Sequence, residues 1–280
     1  MSSLIETAHW IACARAAESL RSDRLFDDPL AVEFVRRADP ELYARLSSEP
    51  SSRFDVLAVR TKFFDDCLLD AVADGSSCQV VVLAAGLDSR AFRLPWPAGT
   101  TLYEVDLPEA LQAKATLLKD WAGVSEQCRR VSVSADLTGE WPSALLDAGF
   151  SEELPTVWLA EGVLYYLTRG QVDAVVGQVT ELSAPGSTFH LEQVNDDLYR
   201  APWMRDWLRQ MREEGRPWLS GVADPEAWLA RSGWRALVRE PCDLAAAAGR
   251  SVPRTPPREV PGAARTWLIS ADLATAAISV

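Results

Sequence analysis

Apolar residues recur at helical spacing near the start of the chain, at Leu4, Ala8 and Ile11, and again along a run from residue 54 to residue 72. This predicts a helical N-terminal region. Between the two runs, the turn-forming Arg21-Ser22-Asp23-Arg24 precedes a short helix expected after Pro29. From Cys78 onward the pattern changes. Val80-Val81-Val82-Leu83-Ala84-Ala85 is apolar throughout, as a strand buried on both faces must be. Further strands are predicted at 101–106, 130–135, 156–160 and 187–194, alternating with helical stretches such as 108–121 and 169–182. Such alternation implies right-handed βαβ crossovers and a parallel sheet covered by helices.

After the fifth strand the rhythm is interrupted by a Trp-rich segment carrying Trp203, Trp207 and Trp218. A helix at 225–231 and two strands at 234–239 and 266–271 follow, the latter joined through the proline-rich 252–257. The expectation is an α/β chain with a doubly wound, seven-stranded, Rossmann-like sheet. It divides into an N-terminal helical cap at 1–75 and a main domain at 76–280, with a helical insertion at about 196–222 serving as a lid. No internal repeat is present.

In a doubly wound sheet, ligands bind beyond the carboxyl ends of the strands. The first predicted strand runs into Ala84-Ala85-Gly86-Leu87-Asp88-Ser89-Arg90, where Gly86 permits close backbone approach and Asp88 or Ser89 suits a helix cap. A Gly-x-Gly-x-x-Gly fingerprint is absent, which counts against a dinucleotide and a hydride-transferring dehydrogenase. The second strand ends Tyr103-Glu104-Val105-Asp106, placing Asp106 at the tip, where a carboxylate accepts both protons of a ribose diol or else caps the helix that begins at Pro108. The third ends at Asp136-Leu137 and the fourth at Glu161-Gly162. An edge with three carboxylates suits a ligand bearing an amine, a diol, an ammonium and a sulfonium, and repels phosphates.

Arg60 sits on an apolar helical stripe, with Val56, Leu57, Phe63 and Phe64 at i±3 and i±4 and no carboxylate among those neighbours. It is expected to be the single guanidinium facing the acidic edge. Either the carboxylate of an amino-acid-like cofactor satisfies it, or a distant protein carboxylate does. Tyr165 and Trp203 are candidates to line a pocket. Both histidines, His9 and His190, are read as structural. That scarcity favours an acceptor that is already ionised near neutral pH, such as a carboxylate, over one needing a base.

Composition narrows the partners. Acidic residues number 40 against 28 basic, so the surface field opposes nucleic acid and anionic membrane. Five scattered cysteines form no Cys-x-x-Cys pair and read as small buried hydrophobes, with neither a disulfide framework nor a metal site. The chain opens Met1-Ser2-Ser3-Leu4-Ile5-Glu6 without a leader pattern, and no stretch is long and apolar enough for a bilayer, so a cytoplasmic location is expected. The expected species is a monomer or homodimer.

The ordered segments Ala84-Ala85-Gly86-Leu87-Asp88-Ser89-Arg90, Glu104-Val105-Asp106-Leu107-Pro108, Ala135-Asp136-Leu137, Ala160-Glu161-Gly162-Val163-Leu164 and Glu192-Gln193-Val194-Asn195 resemble the leucine carboxyl methyltransferase family over most of the chain. Arg15-Ala16 and Asp28-Pro29-Leu30-Ala31 further resemble its bacterial branch of O-methyltransferases. The resemblance implies a class I fold, S-adenosyl-L-methionine as cofactor and methylation of a small-molecule oxygen, first a carboxylate, alternatively a hydroxyl or phenol. A non-catalytic cofactor-binding protein is the rival from another class. It further implies that Arg60 holds the cofactor carboxylate, Gly86 lines the cofactor, Asp106 takes the ribose, Asp136 and Leu137 the adenine, and Glu161 the methionyl side. Arg60 and Tyr165 are the residues expected beside the chemistry. Ala84 stands where the eukaryotic members carry glycine, and Arg15 is a candidate for their cofactor-proximal lysine.

Overall fold

The computed structural model describes residues 3–48, 52–119, 121 and 125–274, with side chains from residue 9 onward. Met1 and Ser2, part of the stretch read for a leader, and Asp120, within the helix expected at 108–121, lie outside the described residues. The chain opens with α1 (Ser3–Ser19), α2 (Pro29–Ala38), α3 (Pro40–Ser48) and α4 (Asp55–Val72). The alternating region follows: β1 (Gln79–Leu83), α5 (Arg90–Arg93), β2 (Thr101–Asp106), α6 (Pro108–Lys119), β3 (Arg129–Ser134), α7 (Trp141–Asp147), β4 (Thr156–Ala160), α8 (Arg169–Glu181) and β5 (Thr188–Val194). The last part comprises α9 (Arg205–Glu213), α10 (Pro225–Ala230), β6 (Trp234–Arg239), α11 (Pro241–Ala245) and β7 (Thr266–Leu273).

The seven strands form one sheet in the order β3-β2-β1-β4-β5-β7-β6, parallel except for β7, which runs antiparallel to β5 and β6. From β1 the chain builds outward through β2 and β3, then returns to place β4 on the other side of β1. That reversal leaves a crevice between the loops after β1 and β4, where an open α/β sheet binds its ligand.

Both faces of the sheet are covered, which is why β1 and β4 are buried at every position. One core joins Val81, Leu83 and Trp158 to Trp141 of α7, Val172 and Val176 of α8 and Trp228 of α10. The other joins Val80, Val82 and Leu159 to Phe64, Leu68 and Val72 of α4. A separate small core, with Ala12, Cys13, Ala31 and Val35, holds α1 to α2. Leu87 packs against it and so joins the helical region to the loop after β1.

Local chemistry sets the helix ends. Asp28 caps α2, its Oδ1 accepting the Ala31 N–H at 3.0 Å, while Pro29 fills the first turn, where no N–H is needed. Thr168 and Gln171 form a capping box at the start of α8.

All five cysteines are unbridged. Cys13 is buried and Cys67, Cys128 and Cys242 are only half-buried, and the burial they have pushes the Cys13, Cys67 and Cys128 thiols up to about 11, 12 and 12. Cys78 departs from the expectation of burial: it lies exposed just before β1, on a strand approach the apolar pattern does not reach. Among the described residues no helix is long and apolar enough to cross a membrane, and no group of His, Cys, Asp or Glu is arranged to hold a metal ion.

Candidate active site

Beyond β1 the chain turns through two residues in the left-handed region, Ala84 at φ +52° and Gly86 at φ +47°. Among the described residues Ala84 is the one non-glycine residue with positive φ. The turn aims the Gly86 N–H at Asp106 on the tip of β2, whose Oδ2 accepts it at 2.5 Å while Oδ1 accepts the Leu107 N–H at 2.7 Å. Each carboxylate oxygen keeps a further lone pair, so Asp106 presents two adjacent acceptors of the kind a vicinal diol fills. Burial raises its carboxyl above the ordinary range, with the two N–H groups opposing. Glu104, the competing carboxylate, is fully buried on Lys114 at 2.7 Å and Arg130 at 2.9 Å, and is spent on structure.

At the end of β3, Asp136 is exposed, its Oδ1 accepting the Thr138 N–H and hydroxyl, each at 2.8 Å. Leu137 turns its side chain into the core beside Val105, Val133 and Trp141. Asp136 is therefore the polar member of this pair, and only the backbone of Leu137 is left to face a ligand.

The expectation of one lone guanidinium is overturned. Arg60 reaches Glu161 Oε1 from Nε at 2.8 Å and donates from Nη1 to Glu192 Oε2 at 2.9 Å. Arg90, scarcely exposed, donates to Glu161 Oε2 and to Asp65 at 2.7 Å each, and also to Asp88. Arg93 clamps both oxygens of Asp65 at 2.6 and 2.8 Å. The distant protein carboxylate that the sequence left open is thus what Arg60 meets. Reading i±3 and i±4 neighbours sees only its own helix, whereas Glu192 lies 132 residues on. A cap at Asp88 or Ser89 accounts for the local sequence without calling on Arg90 or Arg93. Two arginines at i and i+3 just beyond a buried strand were the available signal.

Burial favours a neutral Glu161, but Arg90 and Arg60 outweigh it and hold the carboxyl below its ordinary range. At Glu192 burial wins, with Glu161 adding and Arg60 opposing, and the carboxyl is raised. The Arg60 Nε–H lies close to Glu161 yet has no acceptor in line, a buried donor left open.

Tyr165 follows in a 3₁₀ turn at Leu164–Tyr166, buried, with its hydroxyl 3.5 Å from Glu192 Oε2. Burial and then Glu192 push its phenol well above the ordinary range, so it remains a donor and is unsuited as a base. Between these groups stands Gly162 at φ +71°. A Cβ there would lie 3.6 Å from Tyr165 Oη and 3.7 Å from Arg60 Nη1, so its absence keeps a gap beside the guanidinium.

The Trp-rich insertion packs over this corner. Tyr165 and Val194 form a cluster with Leu198 and Met204, against which Trp207 and Trp218 pack. The Trp218 ring lies 4.1 Å from that of Tyr165, and the Leu219 N–H bonds to the Tyr165 carbonyl at 2.6 Å. Trp10 of α1 meets Trp207 at 5.8 Å, joining the first helix to the insertion. Trp203 does not line a pocket: it is 69% exposed, because it sits at the outer end of a turn whose inward residue is Met204.

Arg15 donates to the Leu87 carbonyl at 2.5 Å and lies 2.9 Å from Asp28. The Ser89 hydroxyl donates to the same Asp28 at 2.6 Å. His9 packs edge-on against Phe34, and His190 is buried within β5 with its Nε2 3.2 Å from the Thr188 hydroxyl. An apolar hollow enclosing about 450 Å³, its open mouth included, lies between α1, α2 and α6, with Arg15 and Leu87 in its wall.

This arrangement offers a diol acceptor, a left-handed turn beside it and a guanidinium with adjoining carboxylates, but no phosphate cradle. The chain matches the profile of the leucine carboxyl methyltransferase family over residues 8–180. It belongs to that family. Relatives named provisionally as S-adenosyl-L-methionine-dependent methyltransferases include one from Parafrankia sp., 44% identical over 90% of this chain and 83% of the relative. Another, from Rhodococcus jostii, is 37% identical over 97% and 96%. Solved structures share this chain's fold. A Thermobifida fusca protein named provisionally as a methyltransferase superposes with a TM-score of 0.55 at 18% identity, covering 94% of each chain. A DUF574 family protein of Streptomyces avermitilis gives 0.61 at 12% identity, covering 92% and 96%.

Proposed function

We propose that this S-adenosyl-L-methionine-dependent methyltransferase makes methyl esters, carrying the methyl group to a carboxylate oxygen of a small organic acid. The observation that carries the reading is the corner formed by Arg60, Tyr165 and Gly162, in which a guanidinium and a protonated phenol face a gap and both histidines are engaged elsewhere.

In this reading Asp106 accepts the cofactor ribose hydroxyls, Gly86 lines the cofactor backbone, Asp136 and the Leu137 backbone serve the adenine, and Glu161 and Arg60 hold the amino-acid end. Ala84 shapes the turn. The bound cofactor supplies an electrophilic methyl on a sulfonium. A carboxylate acceptor is ionised at neutral pH, so the chain has only to position it and exclude water. Tyr165 donates to the acceptor, and the insertion at 196–222 acts as the lid, with Trp218 over Tyr165 and Trp207 against Trp10. The apolar hollow beside Leu87 presents an apolar wall against which the body of such an acid would pack. The division at residue 75 into a helical cap and a methyltransferase domain belongs to the same reading.

The test is chemical. Incubation with the cofactor and a panel of small carboxylic acids and phenols should give products whose new methyl is released as methanol by mild alkali, as an ester requires. An alkali-stable methyl would mark an ether and overturn the carboxylate assignment. Glu192 gives a hydroxyl acceptor its one supporting observation: a buried carboxylate of raised pKa is a usable base. That alternative predicts a basic limb in the pH-rate profile.

A further inference from the structure

The segment Glu192-Gln193-Val194-Asn195 closes β5, and the reading above gives it no role in ligand binding. Asn195 is explained by the fold. Its Oδ1 accepts the Leu198 and Arg265 N–H groups and its Nδ2 donates to the Ala263 carbonyl, tying the insertion to the approach of β7. Glu192 is different. It is buried on Arg60 Nη1, beneath the Tyr165 hydroxyl, and its Oε2 would lie 3.9 Å from a Cβ on Gly162. It therefore stands at the gap that a ligand carboxylate would enter.

The two carboxylates on Arg60 are held unequally. Glu161 gives one oxygen to Arg60 and the other to Arg90 at 2.7 Å, so two cations fix it. Glu192 has a single cation. An incoming carboxylate that competes for Arg60 meets less resistance from Glu192.

We propose that Glu192 is a stand-in for a ligand carboxylate on Arg60: it occupies the Nη1 arm, yields that arm when a ligand carboxylate arrives, and takes up a proton from solvent as it withdraws. This rests on the reading that Arg60 receives a ligand carboxylate. The charges balance, because the ligand brings one negative charge and the proton one positive. Without the proton, Glu161, Glu192 and the ligand would crowd around two guanidinium groups in a buried corner. The groups facing Glu192 are Arg60 from α4, Glu161 and the Gly162 N–H from the loop after β4, and the neutral hydroxyl of Tyr165. Its pairing partner on β7 is the apolar Leu268. Once Arg60 is given up, no cation among these remains to keep Glu192 ionised.

Calorimetry of the full chain with S-adenosylhomocysteine, in buffers of different ionisation enthalpy, tests this. The expected result is uptake approaching one proton per ligand, with Kd tightening by up to about tenfold for each pH unit lowered from pH 8. A parallel titration uses 5′-methylthioadenosine, which keeps the nucleoside and thioether but lacks the carboxylate. No uptake there assigns the displacing group to the cofactor. Uptake that appears only when benzoate is added to the methylthioadenosine complex assigns it to the acceptor. Glu192→Gln, which preserves size, should bind S-adenosylhomocysteine without uptake and no more weakly than wild type. Binding of both probes, and of benzoate to the methylthioadenosine complex, by wild type with no proton uptake in any of the three overturns the proposal and leaves the functional reading standing, as does a loss of more than tenfold in Glu192→Gln with unchanged circular dichroism. Failure of S-adenosylhomocysteine to bind at all overturns both.

Discussion

Asp106 Oδ2 accepts the Gly86 N–H at 2.5 Å, so the tips of β2 and β1 are fastened to one another beside the crevice between β1 and β4 where the strand order reverses. The same carboxylate thus shapes the turn and offers acceptors to a diol. Replacing Asp106 by Ala removes those acceptors and leaves the Gly86 N–H open. Cofactor affinity should fall by about 1–3 kcal/mol, roughly five- to 150-fold in Kd, as read by calorimetry with S-adenosylhomocysteine. Asp106→Asn keeps an acceptor and should lose less. Equal affinity in Asp106→Ala and wild type would remove the residue from the site.

The two left-handed residues beside Asp106 give opposite expectations. Ala84 at φ +52° carries a Cβ in a region that disfavours it by about 1–2 kcal/mol, whereas Gly86 at φ +47° carries none. Ala84→Gly should leave stability unchanged or raise it by up to about 1 kcal/mol, and Gly86→Ala should lower it by at least about 1 kcal/mol. Urea unfolding of both variants decides this. A destabilised Ala84→Gly would mean that the alanine methyl packs well enough to outweigh its backbone cost.

Strand ends are legible where a buried strand is an apolar run, as in β1, which runs into Gly86, and β4, which stops at Glu161; β2 and β5 carry Glu104, His190 and Glu192 inside the strand, and there position at the tip singles out Asp106 over Glu104. Helices with a weak stripe were not readable. No residue of α3 is buried among those described, α5 has four residues, and α11 has five. The charge chain escaped for a related reason. Arg60, Arg90 and Asp65 find partners across the fold, and nothing in the local spacing of a side chain reports a neighbour contributed by another strand. Trp203 and Trp218 look alike in sequence, and only the packing of Met204 and Tyr165 separates the exposed ring from the stacked one.

That separation is testable. Trp218 stacks at 4.1 Å over Tyr165, and Trp203 is mostly in solvent. A stacked pair contributes about 0.5–1.5 kcal/mol beyond its buried area, so Trp218→Ala should cost roughly two- to tenfold in kcat/KM, with the far-ultraviolet circular dichroism unchanged. Trp203→Ala should match wild type. Equal losses in both variants would contradict the placement of the lid.

Acid stability should report on His190. Burial lowers its imidazole from 6.5 to about 4, so it is neutral in the folded chain at pH values where the unfolded chain binds a proton. The unfolded state therefore gains protons first, and this contribution to stability is lost as pH falls from about 6.5 to about 4. The slope approaches 1.4 kcal/mol per pH unit, and the total is on the order of 3 kcal/mol. Glu192 and Asp106, whose carboxyls are raised, act in the opposite sense: their penalty is present above their raised values and fades as pH falls toward the ordinary carboxylate range. Asp88, held at about 2 by Arg90 against its burial, adds a separate loss below about 3.8. The wild-type profile mixes these windows, so the informative quantity is the difference between His190→Asn and wild type. Urea midpoints measured from pH 7.5 to 4 should show the variant's disadvantage shrinking, and a gap that stays constant across that range would show that His190 titrates in the folded chain as it does in the unfolded one.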